Sequence, residues 1–426
     1  TDAMGHVTRL AYDSRGQLTA LTDANGHTTT NGYDAHGNLT STTDPLGHAT
    51  TIAHDGVGRM TSYTDPNGNV TTLAYDAGDN VISTTDPLGY ETTTTYDGNG
   101  LLTQMTDARG HATQYGYDGQ FNLTGVTDGL GNVTTYAYDA NNDLVRITDA
   151  NGHVTTYGRD GLGQLTRITD PLGRATQFDY DGNGNLVTRT KADGRVVEVT
   201  FDEEDRPVTI SYPDGESSEY TYDAVGNVTA ASRGTWEADY VYDALDRITG
   251  QDLIDEGLSL TYVYDPVGNR LTLDVRHGTA TVHRIDSLYD AADRVVQIAD
   301  AVSGQTVDLS YDPADLATEI LFSGGARTTY VYDANGRATS VENLDGQDGI
   351  MSEWAYEYDE VGNPLQVTRT APTSSLNTSY TYDALDRLVS EAYPRYTVEY
   401  EYDAVGNRTV KDGPLGTVAY TYSAAD

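Results

Sequence analysis

The chain contains no cysteine, which rules out a disulfide framework and removes redox chemistry as a guide to compartment. Lysine is almost missing as well. Lys191 and Lys411 are the whole supply, and the rest of the positive charge is arginine. No apolar run approaches transmembrane length, no charged-then-apolar leader opens the chain, and no stretch keeps a helical period. The nucleophile elbow, the zinc-protease HExxH, the phosphate-binding P-loop and the dinucleotide fingerprint are all absent. Basic residues are scarce beside 65 acidic ones, leaving a net charge of −40. A field of that sign opposes phosphate, so nucleic acid is excluded as a partner. Most of the acid is Asp in turns, where it is solvated and helps keep a β protein soluble.

What is present is one theme, restated. A Tyr-Asp marker falls at Tyr12, Tyr33, Tyr75, Tyr96, Tyr117, Tyr138, Tyr180 and Tyr222, with His54, Arg159 and Phe201 filling the gaps at a strict 21-residue period. A glycine column from Gly5 to Gly215 keeps the same time. After Tyr222 the markers run on to Tyr422 at spacings of 20 to 26, for 20 units in all. Length alone suggests two or three domains, but a quasi-one-dimensional array need not divide into cores. We therefore read 1–200 as regular repeats and 201–426 as less regular repeats that continue the same sheet.

Every unit holds two turns. The first follows Tyr-Asp, as in "YDAVGN" at Tyr222, and the second reads "TDPLG" at Thr43, Thr85 and Thr169. Asp can bond the backbone two residues on, Pro pre-sets φ, and Gly accepts a left-handed conformation. The runs between are rich in Thr, Val, Tyr and Leu, which is strand chemistry. Two strands of about six residues and two four-residue turns make roughly 21 residues. The unit is a β-hairpin, and the chain is an all-β ribbon of hairpins. Aromatic residues two before the marker, such as Tyr115, Tyr136 and Tyr262, share its face, and Leu18, Leu39, Leu102 and Leu123 form another column.

The motifs "YDAVGN" at 222 and 402, "YDPVGNR" at 264, "YDALDRL" at 382 and the repeated "TDPLG" resemble the YD repeats of the Rhs family. That family takes in bacterial Rhs and wall-associated polymorphic toxins, the C subunits of insecticidal toxin complexes, and teneurin ectodomains. The resemblance runs the whole length of the chain. It implies a continuous antiparallel ribbon that spirals into a hollow shell or tube, which in bacterial members encloses a toxic C-terminal polypeptide. It also implies a secreted or cell-surface location. Family members usually close the shell with a core segment like Asp-Pro-x-Gly-Leu; none is found here, so no residue is assigned to autoproteolysis. The chain opens inside "TDAMG" and ends at "YTYSAAD", as a repeat-only fragment would.

Candidate chemistry is thin. His6, His27, His48, His111 and His153 all follow a turn glycine, yet neighbouring repeats lie about 10 Å apart, too far to share one ion. They read as turn-edge residues, and no metal site is expected. Asp181-Gly-Asn183-Gly-Asn185 opens like an EF-hand, but Leu186 stands where Gly is needed and no Glu closes the loop. Asp13, Asp34 and Asp76 read as turn caps with no titrating partner for acid–base work. Weak Ca²⁺ binding is the one cofactor-like property open to such carboxylates. The sequons at Asn38, Asn69, Asn122, Asn132, Asn227, Asn377 and Asn407 fall mostly where a turn enters a strand. No catalytic, cofactor-binding or metal residue is assigned. The expected function is a non-catalytic shell around a polypeptide cargo; the alternative is an extracellular fibre or adhesive element that self-associates through edge strands.

Overall fold

Each unit folds as its punctuation dictates. β1 (Arg9–Tyr12) runs into a turn at Asp13, β2 (Leu18–Thr22) returns, a second turn follows at Asp23, and β3 (Thr28–Tyr33) begins the next unit. The computed structural model describes residues 1–425, and among these lie 39 strands and no helix. Strand pairs with following strand, antiparallel, within one continuous 39-stranded sheet. Where the markers spread apart the strands lengthen, from four residues in β1 to ten in β27 (Ala280–Tyr289). Packing gathers the chain into two units. The first comprises Thr1–Thr72, Arg206–Thr209 and Glu216–Ser352; the second comprises Leu73–Asp205, Ile210–Gly215 and Glu353–Asp426.

The turns are built alike. The Asp13 amide donates to the Gln17 carbonyl at 3.0 Å, while its Oδ1 accepts the amides of Arg15 and Gln17 at 2.8 and 3.0 Å. The second kind of turn repeats this: Asp44 Oδ1 accepts the amides of Leu46 and His48 at 2.9 and 2.7 Å. The residue three after Asp must be left-handed, as Gly131 is with φ 84. Asp246 and Asp386 hold the same place with φ 59 and 60, which a short polar side chain tolerates.

Plain alternation does not survive the Tyr-Asp end of the hairpin. Leu10 faces Leu21 and Ala11 faces Ala20, but Tyr12 faces Leu18, so a β-bulge absorbs one residue. The bulge recurs beside the later markers, as at Tyr33, Tyr117, Tyr264 and Tyr402. It brings Leu18 and Leu21, three apart in sequence, onto one face. Between hairpins the ladder is short: Thr22 to Ala20 pair with Thr28 to Thr30 and stop. The Tyr33 hydroxyl then donates to the Leu18 carbonyl at 2.9 Å, beyond the end of that ladder. Tyr138, Tyr264 and Tyr402 make the same bond to Leu123, Ile248 and Leu388 at 3.0, 2.9 and 2.8 Å. The marker tyrosine is therefore a hydrogen-bonding strap between hairpins as well as a packing surface.

Burial is shallow. Among the described residues no large side chain is fully buried, and the buried apolar set is Ala231, Ala238, Leu344 and Val398. Ladder bonds, turn caps and cross-strand pairs hold such a sheet, each contributing of the order of 0.2–1.5 kcal/mol between neighbours. Tyr264→Phe should cost about 1 kcal/mol by removing a strap and leaving the Ile248 carbonyl without it. Tyr12→Phe, at a residue 57% exposed, should stay within about 0.5 kcal/mol. Amide exchange over residues 248–264 reads the local effect; equal protection in Tyr264→Phe and the parent would mean that the strap carries no stability.

Candidate functional site: rows of turns that meet edge to edge

From Asp223 onward the Tyr-Asp turns fall into two main kinds, set by the residue four after Asp. In one kind it is Asn: Asn269 and Asn407 donate to Oδ2 of Asp265 and Asp403 at 2.9 and 3.1 Å. In the other it is Arg: Arg247, Arg294 and Arg387 donate through Nε to Oδ2 of Asp243, Asp290 and Asp383 at 2.7 to 2.8 Å. Each kind holds the next along the ribbon. Asn227, Asn269 and Asn363 also reach the left-handed Asp246, Asp293 and Asp386 at 2.7 to 2.8 Å. Arg247 and Arg387 donate to the carbonyls of Asp265 and Asp403 at 3.0 Å and lie 4.8 Å over the rings of Tyr264 and Tyr402.

Within each packing unit, a row of Thr-Asp turns also meets a row of Tyr-Asp turns from far along the chain. In the first unit Asn25 donates to Asp265 Oδ2 and Asn67 to Asp312 Oδ2, both at 2.8 Å. In the second unit Arg109 reaches the Asp383 carbonyl at 3.1 Å, pairs with Asp359 at 3.4 Å and also binds Asp386. Asn151 donates to Asp403 Oδ2 at 3.1 Å. These partners stand 240 to 277 residues apart. In each unit the ribbon returns to lie against its own edge, and most of the contacts run from the residue two after a Thr-Asp carboxyl.

That position alternates in the sequence: Asn25, Leu46, Asn67, Leu88, Arg109, Leu130, Asn151, Leu172. The 42-residue alternation is the signal that would have marked the edge contacts, and the 21-residue repeat hides it. The carboxylates respond to what they hold. The side chain and amide of Asn38 keep Asp34 down at about 2, and Arg59 does the same for Asp55, also about 2. Burial pushes the Asp265 carboxyl up, but bonds from Asn25, Asn269 and backbone amides outweigh it and leave it lowered.

The other candidate residues take their places in these turns. His6, His48 and His111 put Nδ1 at 2.9 to 3.2 Å from their own Asp2, Asp44 and Asp107, as local turn-edge pairs. Asp181 caps its own turn, accepting the amides of Asn183 and Asn185 at 2.9 Å. Asn38, Asn69, Asn122 and Asn132 use their Nδ2 groups on Asp Oδ2 at 2.8 to 3.0 Å, the atom glycosylation would need. No helix among the described residues is long and apolar enough to cross a membrane.

Comparison with known families decides what kind of ribbon this is. The RHS Repeat family matches nine segments that together cover 1–93, 96–196 and 201–235, and the Teneurin YD-shell family matches residues 251–425. This chain belongs to the Rhs/YD-repeat family. Its fold is similar to that in the crystal structure of TcdB2-TccC3, at 16% identity and a TM-score of 0.66, over 100% of this chain and 32% of that one. The crystal structure of TcdB2-TccC3-TEV is similar at 16% identity and a TM-score of 0.52, over 98% of this chain and 28% of that one. The Rhs/YD chain thus spans about a third of the solved chains it matches, and at such identity the likeness is one of fold. No curated protein sequence matches it.

Two predictions follow from this geometry. Gly129 has an ordinary backbone conformation, yet a Cβ there would stand 3.0 Å from the Ala384 carbonyl oxygen and 3.2 Å from His111 Cβ. Gly129→Ala should therefore destabilise the second unit by about 1–3 kcal/mol. Gly119→Ala, where nothing lies within 4 Å, should be neutral or stabilising by up to about 1 kcal/mol. Matching denaturant midpoints for the two variants would show that the edges do not touch there.

The second concerns acid. A carboxyl whose folded pKa lies below its unfolded value stabilises the fold fully above the unfolded pKa and loses that contribution as pH falls through the folded one. For Asp34 and Asp55 the window runs from the ordinary 3.8 down to about 2. Protonation also relieves the repulsion of a −40 chain, which salt screens. In about 0.5 M salt the melting temperature should be lower at about pH 2.5 than at about pH 5. A melting temperature unchanged or higher in acid would show that the turn carboxylates do not stabilise the sheet.

Proposed function

We propose that this chain is a length of non-catalytic shell wall, which in its parent protein encloses or carries a polypeptide cargo. The observation that carries the reading is the edge contact. In each unit the ribbon meets its own earlier edge through matched polar turns, as a wall built from one ribbon must. Membership of the Rhs/YD-repeat family supports it, as does the likeness in fold to TcdB2-TccC3. The partner in this reading is the parent protein's C-terminal polypeptide, toxin-like in the bacterial relatives, and the location is secreted or at the cell surface. The chemistry available suits a container. Carboxylates, amides and guanidinium groups in the turns are spent on one another and on backbone, and cargo would meet a wetted surface of Tyr, Thr and Leu.

Small-angle X-ray scattering over a concentration series tests this. A compact globule of this length would have a radius of gyration near 22 Å, by the usual size scaling for about 426 residues. The wall predicts a clearly larger value that is constant with concentration. A value near that of the globule would sink the reading. Growth with concentration would move it to a fibre built by strand addition at β1, all four of whose residues are exposed.

A further inference from the structure

We propose that Asp23, His27 and Asp293 bind a divalent transition-metal ion, Zn²⁺ foremost, and that the ion clips two stretches of ribbon together within the first unit. One ligand atom from each of the three side chains lies within 4.8 Å of the other two. Among the described residues this is the one set of three His, Cys, Asp or Glu side chains drawn so close. Along a single ribbon the turn histidines lie too far apart to share an ion, but here a third ligand arrives from the Asp290 turn, far along the chain.

His27 and His153 are the two looser members of the column, with His153 Nδ1 3.4 Å from Asp149 Oδ2, and of the two only His27 leaves a buried Nδ1 without a partner. His6, His48 and His111 hydrogen-bond their own turn carboxylates, whereas His27 Nδ1 stands 3.6 Å from Asp23 Oδ2. That nitrogen is wholly shielded from solvent and has no hydrogen-bond partner, a costly state for a polar atom. Asp23 spends Oδ1 on the amides of Asn25 and His27, at 2.9 and 2.8 Å, so its position is set by the turn. Asp293 sits at the left-handed place, φ 61, and is oriented by Asn269 at 2.7 Å on Oδ1. Its neighbour Arg294 is engaged with Asp290 and Asp315 at 2.7 and 2.8 Å. Asn25, beside the site, holds the two ribbon stretches in register through Asp265.

The donor set selects the ion. Ca²⁺ and Mg²⁺ prefer oxygen alone, while an imidazole with two carboxylates suits Zn²⁺ and its first-row neighbours. Two carboxylates and a neutral imidazole carry two negative charges, which a divalent ion cancels. Ligand atoms about 2.1 Å from a tetrahedral Zn²⁺ stand about 3.4 Å apart, so binding asks the three atoms to draw inward by about an ångström, which exposed Asp293 can supply. Water would complete the coordination. This inference stands whether or not the wall encloses cargo.

Chelator-treated full chain, titrated calorimetrically with Zn²⁺, tests it, with Co²⁺ as a visible-absorption probe of nitrogen ligation. We expect one Zn²⁺ per chain. His27→Gln and Asp293→Asn each remove a ligand and should weaken binding by at least about 100-fold, more than the 10- to 100-fold typical of losing a group that only orients a ligand. Asn tolerates the left-handed place, so Asp293→Asn keeps the turn even if His27→Gln folds poorly. His48→Gln, in a turn of the same kind, should bind as the parent does. No binding, binding untouched by Asp293→Asn, an equal loss in His48→Gln, or Ca²⁺ bound in preference to Zn²⁺ would each overturn the proposal.

Discussion

Everything in this sheet hangs on a carboxylate accepting backbone amides at the head of a turn. Among the described residues no large side chain is fully buried, and the buried apolar set of Ala231, Ala238, Leu344 and Val398 offers little apolar area to hold the chain together. Order has to come from polar groups that are satisfied in pairs, and the turn Asp satisfies several at once. Oδ1 takes the amides two and four residues on, which closes the hairpin. Oδ2 is left to face outward, and what it holds decides how that turn meets its neighbours. The acidity of the chain, which composition alone assigns to solubility, is first of all the cost of having so many such turns.

Two main solutions for Oδ2 divide the late turns between them. Where Arg follows, the guanidinium occupies its own Asp, then grips the next turn by a carbonyl and a tyrosine ring. Where Asn follows, its amide bridges to the left-handed Asp of the next turn, and Asp265 and Asp403 also accept a donor from the facing edge. Lateral cohesion and edge cohesion thus use the same atoms in different partnerships. This also explains why lysine is scarce without loss: a point charge could not fork between a carboxylate, a carbonyl and a ring as Arg247 and Arg387 do. Repeats linked this way interact mainly with neighbours, which gives a sheet that can lengthen by units without redesign.

Much of this was readable in the primary structure, because hairpin chemistry is local. The period, both turns, the capping role of Asp13 and Asp44 and the left-handed place of Gly131 all follow from residues within five of one another. Motif wording carried the family resemblance, and the family matches bear it out. Other features become legible only with the register of the sheet. Leu18 and Leu21 are three apart, a spacing that plain alternation cannot place on one face, and the bulge resolves it. The tyrosine column is legible as cross-strand packing but its strap is not, since a hydroxyl bond to a carbonyl about 15 residues upstream has no local signature.

By itself, the sequence determined that this protein is an antiparallel ribbon of hairpins, since strand pairing between neighbours needs only turn residues and alternating surfaces. Only the tertiary structure decided which edges meet. Asn25 finding Asp265, Arg109 finding Asp383 and Asp359, and Asp293 closing on His27 depend on how the sheet bends over some 12 repeats. That bend accumulates from small twists at every strand. A change too slight to alter any single hairpin would shift the facing turns out of register.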